Sequence, residues 1–209
     1  MDFSQLLKII KYNLRISFLP HFAVTLAIAL LTPVVFGITD LNFTAAAQPL
    51  EMLLSLSGAV LLTPVFYPEQ QGNIRDVIRS KKTSYRLICL LRIAYSLVTL
   101  AIVIGIFTLV MKACGSSVHL VHFASCFASA FFLGAVGLAF GGFSDNVIVG
   151  YMAALVYYIA NMGLKEKLGD LFLFTLSMGG MSVNLALIFA GIILITITLI
   201  FAKPLGNSY

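Results

Sequence analysis

Residues 113–144 read A-C-G-S-S-V-H-L-V-H-F-A-S-C-F-A-S-A-F-F-L-G-A-V-G-L-A-F-G-G-F-S, 32 consecutive positions without Asp, Glu, Lys or Arg. As a single helix this stretch would be about 48 Å long at 1.5 Å per residue, whereas a bilayer core about 30 Å thick accommodates roughly 20 residues. It therefore belongs in lipid and must turn once, for which Cys114-Gly115-Ser116-Ser117 is the natural place. The same pattern extends outward in both directions, with charge-free stretches at 16–39, 52–68, 93–111, 146–164 and 171–202. The last is again 32 residues long and breaks at Met178-Gly179-Gly180-Met181-Ser182. One span per stretch predicts an all-α membrane protein, with six transmembrane helices at 17–38, 49–67, 88–111, 118–141, 145–162 and 183–202 in one transmembrane domain covering 1–209.

Composition agrees, with 60% hydrophobic residues, 10% charged residues and a mean hydropathy of +1.04. Soluble domains carry about 25% charged residues, so a soluble enzyme is excluded. Cys89, Cys114 and Cys126 are odd in number and lack paired spacing, which gives neither a disulfide framework nor a metal motif.

An even number of crossings places both termini on one side. With that side inside, the inner flanks hold ten basic residues (Lys8, Lys11, Arg15, Arg75, Arg79, Lys81, Lys82, Arg86, Arg92, Lys203) and the outer flanks three (Lys112, Lys165, Lys167). This bias predicts a multi-pass cell-membrane protein with cytoplasmic N- and C-termini. It also accounts for the net charge of +5 without nucleic acid. In residues 1–16, Phe3, Leu6, Leu7, Ile10 and Leu14 recur at helical spacing opposite Asp2, Gln5, Lys8, Lys11 and Arg15. They read as an interfacial amphipathic helix on the lipid surface, retained rather than cleaved as a signal.

Between the second and third spans lies a polar segment, residues 67–86, Y-P-E-Q-Q-G-N-I-R-D-V-I-R-S-K-K-T-S-Y-R. Pro68 stops the span, Gly72 breaks the chain again, and Asn73 can cap a new helix with Asp76 three positions on. Ile74, Val77 and Ile78 form an i, i+3, i+4 apolar face bordered by Arg75, Asp76, Arg79, Lys81 and Lys82. Spacing alone leaves two readings open, a connector lying on lipid and a docking helix for a cytoplasmic partner.

Ionisable residues at mid-depth in a membrane would point to function, but Glu51 falls near the outer end of the second span and Asp145 near the inner start of the fifth. This argues against an ion relay and against a hydrolase built on an acid, a base and a nucleophile. His119 and His122 could share one helix face, yet zinc wants further ligands, so they read as interface residues. Tyr151, Tyr157, Tyr158 and Asn161 on the fifth span are candidates to line a substrate cavity, with an aromatic belt as the alternative for Tyr157 and Tyr158. Small residues of the fourth span, Gly134 and Gly137 among them, allow close helix packing.

The order of these features resembles the membrane subunit of a type-2 ABC exporter. The likeness rests on Leu56-Ser57-Gly58, Thr63-Pro64-Val65-Phe66, Pro68-Glu69-Gln70, residues 74–82 closing in Ser80-Lys81-Lys82-Thr83-Ser84, and Arg86 with Arg92. The resemblance implies an interfacial helix, six spans, a cytoplasmic coupling helix within 68–84, and a re-entrant helix near 171–177 in the outer loop 163–182. It further implies a non-catalytic permease that moves a peptide or another amphipathic cargo outward. ATP and Mg would sit on a separate cytoplasmic ABC ATPase, and a second permease subunit would complete a homodimer or heterodimer. No P-loop sequence G-x-x-x-x-G-K-[ST] occurs in the chain itself. The implied ATPase-coupling residues are Glu69, Asn73, Ile74, Arg75, Asp76, Val77, Ile78, Arg79, Lys81 and Lys82, with Glu69 either paired to Arg86, Arg92 or Arg15 or solvated. The alternative is a non-transporting scaffold, an immunity or sensor subunit that recruits a partner.

Overall fold

The computed structural model describes residues 18–70 and 85–201, apart from the side chains of 69, 70, 85, 86, 165 and 166. The described chain is helical, without strands. Five helices are long and apolar enough to cross a membrane: α1 (Leu19–Phe36), α2 (Phe43–Phe66), α3 (Tyr85–Ala113), α4 (Leu120–Phe143) and α5 (Val147–Leu164). A sixth apolar helix, α6 (Leu185–Phe201), has 17 residues and is about 26 Å long. The interfacial helix expected over 1–16 and the helix expected over 74–82 lie outside the described residues.

Helices α2 and α4 are the buried pair, with 78% of the span window enclosed in each, whereas α1 and α5 are enclosed over 11% and 17% and turn most of their surface outward. Glycine sets the closeness of the pair. A Cβ built on Gly58 would stand 1.8 Å from the Ala130 carbonyl oxygen, and one on Gly134 would stand 2.5 Å from the Gly58 carbonyl oxygen. Close backbone approach of this kind is the usual basis of helix association in lipid, where burial of apolar surface gives little driving force. Hydroxyls inside the helices fold back on the preceding turn, as in Thr25 to the His21 carbonyl (2.9 Å) and Thr32 to the Ile28 carbonyl (2.8 Å). This satisfies them without water.

Several expected boundaries move. The second span begins at Phe43 rather than at 49, because Asn42 caps it, its side-chain oxygen accepting from the Ala45 amide at 2.9 Å; the expected outer loop 39–48 shrinks accordingly. That helix is not uniform: an α-helical piece (Phe43–Gln48) leads into a π-helical turn (Pro49–Leu54), then an α-helical piece (Leu56–Leu62) and a 3-10 turn (Thr63–Phe66). Pro49 and Pro64 each lack an amide hydrogen and stand at the first positions of the π and 3-10 pieces. Pro64 leaves the Val60 carbonyl without its helical donor, and the Tyr151 hydroxyl of α5 takes that place at 3.4 Å.

The largest difference lies before α6. No helix forms at 171–177, contrary to the re-entrant helix expected there. A 3-10 turn (Lys165–Leu171) ends in non-helical chain that runs to Asn184, and Leu173, Phe174 and Leu176 in it are essentially inaccessible. The first part of the uncharged 171–202 stretch is thus a folded-in plug rather than helix, and α6 begins at Leu185, two residues beyond the expected start of the sixth span.

Candidate functional site

Non-helical backbone inside a membrane bundle is tolerated only where protein groups satisfy its amides and carbonyls. The plug, residues 172–184, meets this demand through side chains from three helices. Ser129 of α4 donates to the Leu173 carbonyl at 2.6 Å, and the Asn161 side-chain oxygen of α5 accepts from the Leu173 amide at 2.9 Å. The Tyr157 hydroxyl donates to the Leu171 carbonyl at 2.5 Å. Asn184 reaches back to the Asp170 carbonyl at 2.5 Å and the Phe172 carbonyl at 3.3 Å. The plug closes on itself through Gly179, whose φ of +91° suits glycine, and through the Gly180 amide bonding to the Thr175 carbonyl at 2.9 Å.

At its centre stands Glu51, in the π-helical turn of α2 and completely buried. Oε1 accepts from the Ser125 hydroxyl of α4 at 2.6 Å and the Leu176 amide at 3.1 Å. Oε2 accepts from the Ser177 amide at 2.9 Å and the Ser177 hydroxyl at 2.7 Å. Three of the four donors therefore belong to the plug. Burying a carboxylate without hydrogen bonds is strongly unfavourable, and hydrogen bonds to charged groups contribute about 1.5–3 kcal/mol each. The carboxylate and the plug hold each other in place. The neighbouring Cys126 thiol donates to the Leu50 carbonyl at 3.1 Å.

The sequence places Glu51 toward one end of the second span, and the structure adds that it is enclosed by protein there, eight residues beyond the start of α2. The signal that could have found it was present: Ser125 and Ser129 stand four apart on the fourth span, a polar stripe in an otherwise apolar helix. Of the cavity candidates, Asn161 is fully buried and bonds to the Tyr157 carbonyl (2.9 Å) and the plug, and the Tyr158 hydroxyl bonds to the Met52 carbonyl. Tyr158 also meets Phe174 of the plug edge to face at 5.4 Å between ring centroids. Tyr151 and Tyr157 are half-buried, on the bonds given above.

His119 and His122 do not converge on a common ligand. The His122 Nδ1 accepts from the His119 amide at 3.2 Å, which leaves Nε2 to donate to the Phe43 carbonyl at 2.9 Å and tie α4 to the start of α2. Among the described residues no group of three or more His, Cys, Asp or Glu comes together.

A second polar contact lies at the opposite end of α2. Arg92 of α3 is buried, and its Nη1 donates to the Val65 carbonyl at 2.8 Å, beside a crevice lined by Phe18, His21, Pro64, Tyr95 and Ser96. The side chain of Glu69, for which Arg92 is one of three expected partners and solvation the alternative, lies outside the described residues, as do residues 73–82. Replacing Arg92 with Met is expected to leave the Val65 carbonyl unpaired and to lower stability by about 1–3 kcal/mol. Thermal unfolding of the detergent-solubilised protein measures this, and Arg92→Lys should recover part of it.

In comparisons with known proteins the chain matches no family model, no curated protein and no solved structure.

Proposed function

We infer that the chain is the permease subunit of an ATP-driven exporter of the type-2 ABC kind, with six spans and both termini in the cytoplasm. It performs no catalysis itself. A cytoplasmic ATPase binds ATP and Mg and docks on residues 68–82. A second permease subunit, identical or similar, completes the passage, and the cargo is a peptide or another amphipathic compound.

The observation that carries this reading is the Arg92 contact with the Val65 carbonyl. It joins the last turn of α2 to α3 about two turns in from the start of that helix, so a push on the basic segment 71–84 between them reaches two helices together. α2 in turn is packed backbone against backbone on α4, which gives the push a stiff route inward. The ten-to-three distribution of basic residues supports a cytoplasmic position for the segment.

The test is association. Purified alone, the chain should show no ATPase activity, whereas purified from its native membrane it should bring an ATPase with it. Replacing Ile74, Val77 and Ile78 with Asp should abolish that association while leaving thermal unfolding of the bundle unchanged. Association that survives the triple change refutes the docking assignment. A retained partner whose hydrolysis no cargo stimulates in proteoliposomes favours a scaffold instead.

A further inference from the structure

We propose that the cleft between α2, α4 and α5 that seats residues 171–177 is a binding site for an extended apolar peptide, with the plug as its resident occupant, which such a peptide replaces by exchange. The inference stands whether the chain transports its ligand or only receives it. Six hydrogen bonds run between the cleft and this segment, and five of them reach main-chain atoms. The Tyr157 hydroxyl donates to the Leu171 carbonyl and the Ser129 hydroxyl to the Leu173 carbonyl. The Leu173 amide donates to Asn161, and the Leu176 and Ser177 amides donate to Glu51. The sixth is the Ser177 hydroxyl on Glu51. Main-chain contacts of this kind are open to any extended peptide, as in strand addition to a sheet edge, and the pockets for side chains set the class accepted. Here those pockets enclose Leu173, Phe174 and Leu176 almost completely, with Phe174 edge to face on Tyr158, so the class is a run of Leu- and Phe-like residues.

The same bonds disfavour simple opening. Withdrawal of the plug would leave the Ser129 hydroxyl, the Asn161 side-chain oxygen and the Glu51 carboxyl group in the bundle interior without the partners they have now, which is costly in apolar surroundings. A second peptide chain brings the same amides and carbonyls and removes that penalty, whereas an apolar molecule without amides does not. The segment is also placed for replacement. Gly169 and Gly179 bracket it, both with positive φ and both with nothing within 4 Å of the place a side chain would take. Beyond Gly179, Met181 is 85% exposed, so the far end of the segment reaches the surface.

The experiment uses the full chain in nanodiscs of zwitterionic lipid, open to solution on both faces. The probe is a fluorescent peptide of sequence Phe-Leu-Phe-Thr-Leu-Ser on a flexible Lys-containing tail, and nanodiscs of lipid alone set the background. Fluorescence anisotropy should show saturable binding that an unlabelled copy displaces. The control is the same peptide N-methylated at its two Leu residues, whose amides correspond to those bound by Asn161 and Glu51. Methylation keeps the apolar character and removes both donors, and it should weaken binding at least about tenfold. This arm uses the native chain and decides even where a variant fails to fold.

Exchange is read on a chain whose three native cysteines are Ala and whose single thiol is Leu176→Cys, a position with no exposure while the plug is seated. The peptide should raise its rate of labelling at least about tenfold and leave that of a Met181→Cys thiol unchanged. Ser177→Ala takes one bond from the plug and no group from the cleft, so it should tighten peptide binding severalfold, the opposite of what loss of a merely structural residue does. Absence of saturable binding above the lipid background, or equal binding of the methylated peptide, overturns the proposal. So does binding that leaves Leu176→Cys closed, or an affinity that Ser177→Ala fails to raise.

Discussion

Glu51→Ala is expected to lower the stability of the folded bundle by about 3 kcal/mol. The two amides of Leu176 and Ser177 would lose their acceptor inside the protein, and each unsatisfied buried donor costs about 1–3 kcal/mol. Removing the buried charge returns some of this, since an enclosed carboxylate is itself costly. The Ser177 hydroxyl can fall back on the Phe174 carbonyl it already touches. For a chain of this size about 3 kcal/mol corresponds to a fall of roughly 6–12 °C in the unfolding midpoint, measurable in detergent by tryptophan-free methods such as thiol exposure or circular dichroism. Glu51→Gln should fall less, because a carboxamide keeps one acceptor oxygen. A midpoint for Glu51→Ala equal to that of the native chain would remove the carboxylate from any structural role.

Gly58→Val should be more disruptive still. The first added carbon alone would meet the Ala130 carbonyl oxygen at 1.8 Å and its carbon at 2.4 Å. Both neighbours are main chain and cannot rotate aside, so α2 and α4 must separate. Separation also loosens the seats of Gly134 against Gly58 and of Gly137 against Thr63. Overpacking in a tight interior costs about 1–3 kcal/mol and sometimes more; with two backbones forced apart the upper end is expected, seen as loss of the monodisperse peak on size exclusion. Gly105→Ala is the control, because its added carbon would meet only the Phe123 ring at an ordinary 3.7 Å. It should be neutral or slightly stabilising.

What could be read from sequence was set by solvent. Uninterrupted apolar stretches located the helices because a chain in lipid must close its hydrogen bonds locally, and the break at Cys114 to Ser117 fell where glycine and serine allowed it. Gly134 and Gly137 were legible as packing positions for the same reason. The plug was not legible. Residues 171–177 are as apolar as a helix, and what prevents one is tertiary: Ser129, Asn161 and Glu51 offer better partners to that backbone than its own next turn. Glu51 escaped for a related reason, since distance along a span says nothing about whether a distant segment folds over it. The early start of α2 was missed because the cap that opens it is a single side-chain bond from Asn42, ahead of the uncharged stretch by which the span was placed.

The carboxylate at position 51 and the amides at 176 and 177 that neutralise its hunger for donors are separated by 125 residues of chain. During synthesis at about 5–20 residues per second, the interval between emergence of the acid and emergence of its partners is on the order of 6–25 s. For that time the side chain at position 51 lacks the donors that surround it in the folded protein, with Ser125 arriving first and supplying one of the four. Biogenesis of this protein therefore passes through a stage at which the translocon, or an insertion chaperone, must shelter a polar side chain in a half-built bundle until the segment that carries its partners has been made.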